Sequence, residues 1–276
     1  MIEKFYLPLD RFNSERCSWI YEAVKRHFTI VDSPEESDAF LAIGGDGTLL
    51  STVRDPSRGN KPILALNGGT VGANLIDVTP ENIDEVLEEI AKNQYDIELF
   101  PRFELTATDI NGVEKSFYVF NDAWADRLDA ACVRYRAKMT SFNHTQDLSD
   151  DDMSGDGILF STATGSTGYA RMHCDIICPH GSNIVLCVPM CTMINKRKTP
   201  ATIIEEETEY SVEFIDTHFR KTRLAVDGVY IKDEEGNYFV PQHIAVKICK
   251  SIKQYVKLIT SNKESFKNKQ YNFIGR

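Results

Sequence analysis

Four apolar residues, Phe40 to Ile43, run directly into Gly44-Gly45-Asp46-Gly47-Thr48, and this junction constrains the fold more than any other stretch. A short continuous apolar run that ends in turn residues is the pattern of a strand buried on both faces, as in a parallel sheet. The glycines let the backbone turn sharply, and the first turn of a following helix points free N–H groups outward. Together these form a cradle for a phosphate. About twenty residues on, Ile63-Leu64-Ala65-Leu66 runs into Asn67-Gly68-Gly69-Thr70-Val71-Gly72, so two neighbouring strands are expected to present their carboxyl ends to one ligand. Neither loop is a P-loop, because no Gly-Lys-Ser/Thr follows, and the first lacks the G-x-G-x-x-G spacing. A carboxylate inside the cradle repels phosphate unless a metal ion or a proton-bearing nucleophile stands between them. Asp46 therefore reads as a catalytic or metal-organising group, the plainer alternative being a tight turn in which it caps the next helix.

Around these junctions strand-like and helix-like patterns alternate. Residues 4–7, 39–43 and 61–66 read as strands, 14–28 as a helix with Trp19, Ile20, Ala23, Val24 and Phe28 along one stripe, and 47–53 as a helix opened by the first glycine loop. Thr79-Pro80-Glu81 announces another helix, with Thr79 as cap, Pro80 at the first position, and Ile83, Val86, Leu87 and Ile90 on its buried face. This is an α/β module with a mainly parallel sheet. From about Ile97 short alternating runs take over: 104–108, a hairpin turn at Asn111-Gly112, 115–120, then 211–215, 222–226, 230–232 and 244–249. Val133, Tyr135 and Met139 add candidates for the core of this antiparallel β-rich part. Residues 144–152 read as a mobile polar loop with a solvated acidic run, Asp147, Asp150, Asp151 and Asp152. The expected organisation is an α/β domain over 1–97, a β-rich sandwich domain over 98–256, and a tail over 257–276 that docks back on the first domain. Basic and polar from Lys263, the tail either frays or docks by Tyr271 and Phe273.

Bulk properties exclude some partners. The chain has 276 residues and a formal net charge of −10, a field that opposes DNA, RNA and anionic membranes. No segment approaches the roughly 18 apolar residues of a membrane span, and Met1-Ile2-Glu3-Lys4 carries no signal-peptide pattern. Seven cysteines without a secretory signal read as reduced thiols in the cytoplasm. His173, Cys174, Cys178, His180, Cys187 and Cys191 crowd together at spacings that resemble metal ligands. Their apolar neighbours favour small buried hydrophobes instead, so no metal site is assigned.

A second constellation lies in the β-rich part. Gly155-Asp156-Gly157-Ile158-Leu159-Phe160-Ser161-Thr162-Ala163-Thr164-Gly165-Ser166-Thr167-Gly168-Tyr169 offers short, rigid hydroxyls suited to ribose, amide and phosphate oxygens, or else forms a simple Ser/Thr-rich turn. Taken with the two glycine loops, it resembles the NAD kinase family. The family pattern runs GGDGT, N-x-G-x-x-G-F, an Asn-Glu pair, D-G followed by TPTGSTAY, and a late D-G. Here these are Gly44 to Thr48, Asn67 to Gly72, Asn121-Asp122, Asp156-Gly157 with Thr162 to Tyr169, and Asp227-Gly228, in the same order, across residues 40–259.

The resemblance implies a NAD site in a cleft between two domains, commonly in a homo-oligomer, a dimer or tetramer. It implies transfer of a phosphoryl group from ATP with Mg²⁺, or from polyphosphate, onto the adenosine 2′-hydroxyl of NAD. Asp46 would accept the hydroxyl proton, while Gly44, Gly45, Gly47 and Thr48 would hold phosphate. Asn121 and Asp122 match the pair on the acceptor ribose, Thr167 and Tyr169 the adenine and ribose pocket, and Asp156 the nicotinamide end. Asn67, Gly72, Thr164, Ser166, Gly168 and Asp227 complete the implied substrate contacts. Departures from the pattern are Asp122 for Glu, Ala73 for Phe, Ala163 for Pro, Gly168 for Ala, and Arg171-Met172-His173-Cys174-Asp175 for a glycine-rich stretch. A kinase for another hydroxyl acceptor and a catalytically silent dinucleotide sensor stay open as alternatives.

Overall fold

The computed structural model describes residues 1–8, 14–68, 72–142, 144–148, 151–194, 197–198, 200–261, 265–266 and 269–270. Gly69, Thr70 and Val71 of the second glycine loop, Asp150 of the acidic run, and Lys263, Tyr271 and Phe273 of the tail lie outside these residues. The chain divides into two compact units, one formed by the first hundred residues together with the chain from Tyr255 onward, the other by Pro101–Gln254.

In the first unit the elements follow as β1 (Lys4–Tyr6), α1 (Ser14–His27), β2 (Thr29–Val31), β3 (Ala39–Gly44), α2 (Asp46–Arg54), β4 (Ile63–Asn67), β5 (Ile76–Asp77), α3 (Ile83–Ala91) and β6 (Tyr95–Phe100). The sheet order is β2-β1-β3-β4, then the Val256–Ser261 strand, then β6, with β5 beside the end of β4. All pairs are parallel except the last, in which Val256–Ser261 runs antiparallel to β6. The apolar runs of β3 and β4 are fully buried, as strands covered on both faces must be. Their register pairs Ile43 with Leu66 and Gly44 with Asn67, so both glycine loops leave adjacent carboxyl ends. The chain passes from β1 to β2 on one side and then to β3 on the other, which makes the exit of β3 a topological switch point.

Helix α1 buries Cys17, Ile20, Ala23 and Val24, and Arg26 holds Asp84 of α3 through one guanidinium nitrogen at 2.7 and 3.0 Å. One boundary differs from the sequence expectation. Helix α3 starts at Ile83, after Asn82, because the Asn82 side chain accepts the Thr79 N–H at 2.7 Å and the Thr79 carbonyl accepts the Asn82 and Ile83 N–H groups. Thr79-Pro80-Glu81 is therefore a turn before the helix.

The second unit is an antiparallel sandwich. One sheet runs in the order Arg197–Lys198, Met193–Ile194, Met153–Gly155, Val133–Ser141, Thr208–Ile215, Pro241–Ile248, Phe103–Asp109 and Glu114–Val119; the other runs Thr202–Ile204, Val185–Met190, Gly157–Thr162, Asp122–Arg127, Thr222–Val226 and Val229–Tyr230. Inward residues of both sheets, among them Leu105, Tyr135, Val212, Ala125, Phe160 and Leu224, form one core. A smaller cluster on the outer face of the second sheet joins Leu159, Leu186 and Val188 to Ala163, Ala170 and Cys178, so the segment after Thr162 is folded over that face.

Two further expectations are corrected here. His144–Asp147 is a strand paired with Val133–Ser141, not a loop, although its side chains are exposed. The strand expected at 230–232 is Val229–Tyr230, with Lys232 making a single bridge to Tyr238. No helix among the described residues is long and apolar enough to cross a membrane.

Candidate active site

Asp46 is the first residue of α2, separated from the end of β3 by Gly45 alone. Its carboxylate does not cap that helix. It accepts the Ala73 N–H at 3.0 Å and a second backbone bond from Asn74, so it reaches across to the far end of the second glycine loop. The loops are also joined by their main chains, the Gly68 N–H donating to the Gly44 carbonyl at 2.9 Å. Burial pushes the Asp46 carboxyl above the ordinary carboxylate range, against the lowering effect of the two amides and of the Lys269 cation. Gly44 has φ +154, and a Cβ there would collide with Thr48 Oγ1. At Gly47 the opposite holds: an added Cβ would meet nothing within 4 Å. Gly47 faces open space at the N-terminus of α2, where first-turn amides lack intrahelical acceptors. Asn67, at the end of β4, donates from its side chain to Asp77 at 2.6 Å, and a Cβ on Gly72 would press on that amide at 2.9 Å.

In the second unit, Asp122 opens a strand flanked by Gly157–Thr162 and Thr222–Val226. The Asp227-Gly228 turn, with φ of +45 and +82, returns the chain beside it, and the Asp227 N–H donates to the Asp122 carbonyl at 2.8 Å. The Asp227 carboxylate is buried and accepts the Phe120 and Asn121 N–H groups at 3.1 and 2.7 Å. The Asn121 side chain donates to Asp122 Oδ2 at 3.0 Å. Burial, reinforced by the Asp227 charge, pushes the Asp122 carboxyl up to about 7.

Three hydroxyls of the second constellation, on Ser161, Thr162 and Ser166, are spent on folding. Thr162 Oγ1 bonds the Phe120 carbonyl at 2.8 Å and accepts the Gly165 N–H, and Gly165 packs against the Asn121 carbonyl too closely for any Cβ. Ser166 donates to the Ala163 carbonyl at 2.7 Å and accepts the Cys178 N–H at 3.0 Å. Thr164 is buried. Gly168 and Tyr169 are exposed and Thr167 half-buried. The Tyr169 ring meets Trp124 edge-on at 5.2 Å, and Trp124 meets Tyr230 at 6.0 Å.

The family described as "ATP-NAD kinase N-terminal domain" matches residues 10–95. The NAD kinase of Wolinella succinogenes is 29% identical over 202 residues, which cover 72% of this chain and 64% of that protein. That of Sulfurimonas denitrificans is 34% identical over 161 residues, 56% of this chain and 52% of that protein. The chain belongs to the NAD kinase family. Against these two NAD kinases it spans between about half and just under two thirds of their length. Among solved structures, yeast NADH kinase complexed with NADH has a TM-score of 0.79 at 16% identity, over 100% of this chain and 87% of that one. An NAD kinase from Archaeoglobus fulgidus in complex with ATP has 0.69 at 18%, over 100% and 99%. At such identities the likeness carries the NAD kinase fold alone.

The structure thus gathers the NAD kinase motif residues into two groups. Gly44, Gly45, Asp46, Gly47, Thr48, Asn67 and Gly72 lie together at the carboxyl ends of β3 and β4. Asn121, Asp122, Thr162 to Tyr169 and Asp227 lie together in the second unit. Asp156 stands apart from Asp122, beside the other end of the same strand, where it pairs with Arg127 at 3.1 Å. Sequence reasoning missed Trp124, Asp126, Tyr230 and Arg223. Asp126 accepts both the Arg223 guanidinium at 3.0 and 3.1 Å and the Tyr230 hydroxyl at 3.2 Å. The period of two along the strand, Asp122, Trp124, Asp126, was the available signal. Lys269 was missed as well, with no local signal to find it. Cys187 belongs to the sandwich core and Cys178 to the smaller cluster. Among the described residues no group of three or more His, Cys, Asp or Glu could hold a metal ion.

Proposed function

We propose that this chain is an NAD kinase that transfers the terminal phosphoryl group of ATP, supplied as its Mg²⁺ complex, or of polyphosphate, to the adenosine 2′-hydroxyl of NAD. The 2′ oxygen forms the new bond to phosphorus and the bridging bond to the departing phosphate breaks. ADP, or the shortened polyphosphate, leaves with the electron pair. The hydroxyl proton passes to Asp46.

One observation carries the reading: a carboxylate held rigidly by two backbone amides stands at the head of an open glycine loop. Burial strengthens its hold on a proton, which suits a base working near neutral pH. The loop offers amides but no lysine, and the charge that Mg²⁺ brings with the nucleotide neutralises the phosphates. Asn121 and Asp122 would hold the acceptor ribose, with Thr167 and Tyr169 lining the base and Asp156 meeting the nicotinamide end. The same reading makes the protein a cytoplasmic homo-oligomer, dimer or tetramer, which size-exclusion chromatography tests. The decisive assay incubates the protein with NAD or NADH, ATP and Mg²⁺, and detects NADP or NADPH with an NADP-specific dehydrogenase. Failure to form either product, with ATP or with polyphosphate, overturns the proposal.

A further inference from the structure

We infer that Lys269 is a positioning residue for Asp46: its buried ammonium clasps the segment that follows the second glycine loop, and that segment fixes the carboxylate. The inference deepens the proposed function and rests on it for its kinetic arm. Lys269 is 6% exposed, a rare condition for a lysine unless its charge is paired. Its Nζ lies 2.7 Å from the Leu75 carbonyl and 2.7 Å from Asp77 Oδ2. The other Asp77 oxygen takes the Asn67 side-chain amide at 2.6 Å. Three turns of connection follow: Lys269 holds residues 75 and 77, Asp77 holds the end of β4, and the near end of the same segment supplies the Ala73 amide to Asp46.

The ammonium has a fixed base of its own. The Lys269 N–H donates to the Ser265 carbonyl at 3.1 Å, the Phe266 N–H donates to Glu98 on β6 at 3.0 Å, and the buried Phe266 ring packs against Phe100. A cation is suited to this role in a way that an apolar residue is not. It satisfies a backbone carbonyl and a carboxylate at once; removing it leaves the Leu75 carbonyl without this donor and leaves Asp77, whose side chain is 53% exposed, held only through Asn67. The charged groups that act on Asp46 are Lys269, which favours its ionised form, and Asp77 of β5, which opposes it. No glycine-loop residue can replace the clasp, since the loops contain no cation.

The test uses the full chain carrying Lys269→Met, Lys269→Arg or Asp77→Asn. Folding is checked by thermal unfolding, the Ala73 amide is followed by proton–nitrogen NMR, and kcat and KM are measured. In Lys269→Met the Ala73 amide proton should lose its hydrogen-bonded downfield shift, and kcat should fall by about tenfold or more while KM for NAD stays near the parent value. Lys269→Arg should restore both, and Asp77→Asn should move the Ala73 amide in the same direction as Lys269→Met. An unmoved Ala73 amide in folded Lys269→Met or Asp77→Asn, or parental turnover in Lys269→Met, overturns the inference. So does failure of both variants to fold, which would assign the lysine to global stability. If the parent protein phosphorylates neither NAD nor NADH, the proposed function falls while the Ala73 amide still decides the role of Lys269.

Discussion

Replacing Gly47 by alanine separates what the first glycine loop does for folding from what it does for a ligand. Gly47 is the second residue of α2, its φ is not in the left-handed region, and an added Cβ touches nothing within 4 Å. Alanine is favoured over glycine in a helix by up to about 1 kcal/mol, and near the end of α2 about half of that is expected. At about 2–4 °C per kcal/mol for a protein of this size, Tm should rise by roughly 1–2 °C. Binding should move the other way. A methyl group in the open space before the helix would displace a phosphate oxygen seated on the amides, and a loss of about 1.4–2 kcal/mol is roughly a ten- to thirty-fold weaker interaction with ATP. Gly44→Ala provides the contrast, because φ +154 and the collision with Thr48 should cost about 1–3 kcal/mol of stability. The assays are calorimetric unfolding and the KM for ATP. If Gly47→Ala keeps the parental KM and kcat while its Tm is unchanged or raised, phosphate does not bind at this turn and the cradle argument is wrong.

Asp46→Asn keeps the shape of the side chain and an oxygen for the Ala73 amide but cannot take the hydroxyl proton, so turnover should disappear while calorimetric NAD affinity stays close to parental; turnover at the parent rate would refute the assignment. For Asp122 the folded-state value of about 7 lies above the ordinary value of 3.8. The folded protein therefore keeps a proton that the unfolded chain releases, and stability should fall as pH rises from about 4 to about 7 and then level off. Asp122→Asn removes this dependence, so its Tm advantage over the parent should be larger at pH 8 than at pH 5 by several degrees, on the order of a few kcal/mol. Equal Tm differences at the two pH values would show that the carboxyl does not titrate in this window. Trp124→Ala removes the ring against which Tyr169 rests. Dinucleotide affinity should drop by about tenfold, within the roughly 1–3 kcal/mol attributed to a base on an aromatic ring. Unchanged affinity in a folded variant would place the base elsewhere.

What could be read from the sequence was the part written in neighbouring residues. The runs at 40–43 and 63–66, each ending in glycine, specify β3, β4 and the adjacency of their loops, because burial on both faces and a sharp exit are local demands. The α1 stripe and the Asn111-Gly112 hairpin are local as well. The Val256–Ser261 strand was unreadable because its partners, Ile63-Leu64 and β6, lie more than 150 residues away. Gly157–Thr162 and Val185–Met190 show no alternation, since one face meets the sandwich core and the other the cluster under the hydroxyl-rich segment. His144–Asp147 looked like a loop because its side chains are all exposed, although its backbone pairs fully with Val133–Ser141. Asp46 was legible as a chemical group, whereas its hydrogen-bond donors at Ala73 and Asn74 became visible only in three dimensions.

The hydroxyl-rich motif shows why a residue type can be required without touching a ligand. Thr162 and Ser166 spend their oxygens on the Phe120 and Ala163 carbonyls and on the Gly165 and Cys178 amides. Buried peptide groups cost about 1–3 kcal/mol each when left unpaired, so these side chains are demanded by the turn itself. That turn brings Gly165 onto the Asn121 carbonyl and leaves Thr167, Gly168 and Tyr169 toward solvent beside Trp124. Discrimination among acceptors should therefore reside in the groups the turn leaves toward solvent, Thr167 and Tyr169, with the neighbouring Trp124 ring and the Asn121 amide held on Asp122, together with the ionisation of Asp122. Substituting Ser166 should lower Tm before it alters the preference between NAD and NADH; substituting Thr167 should do the reverse.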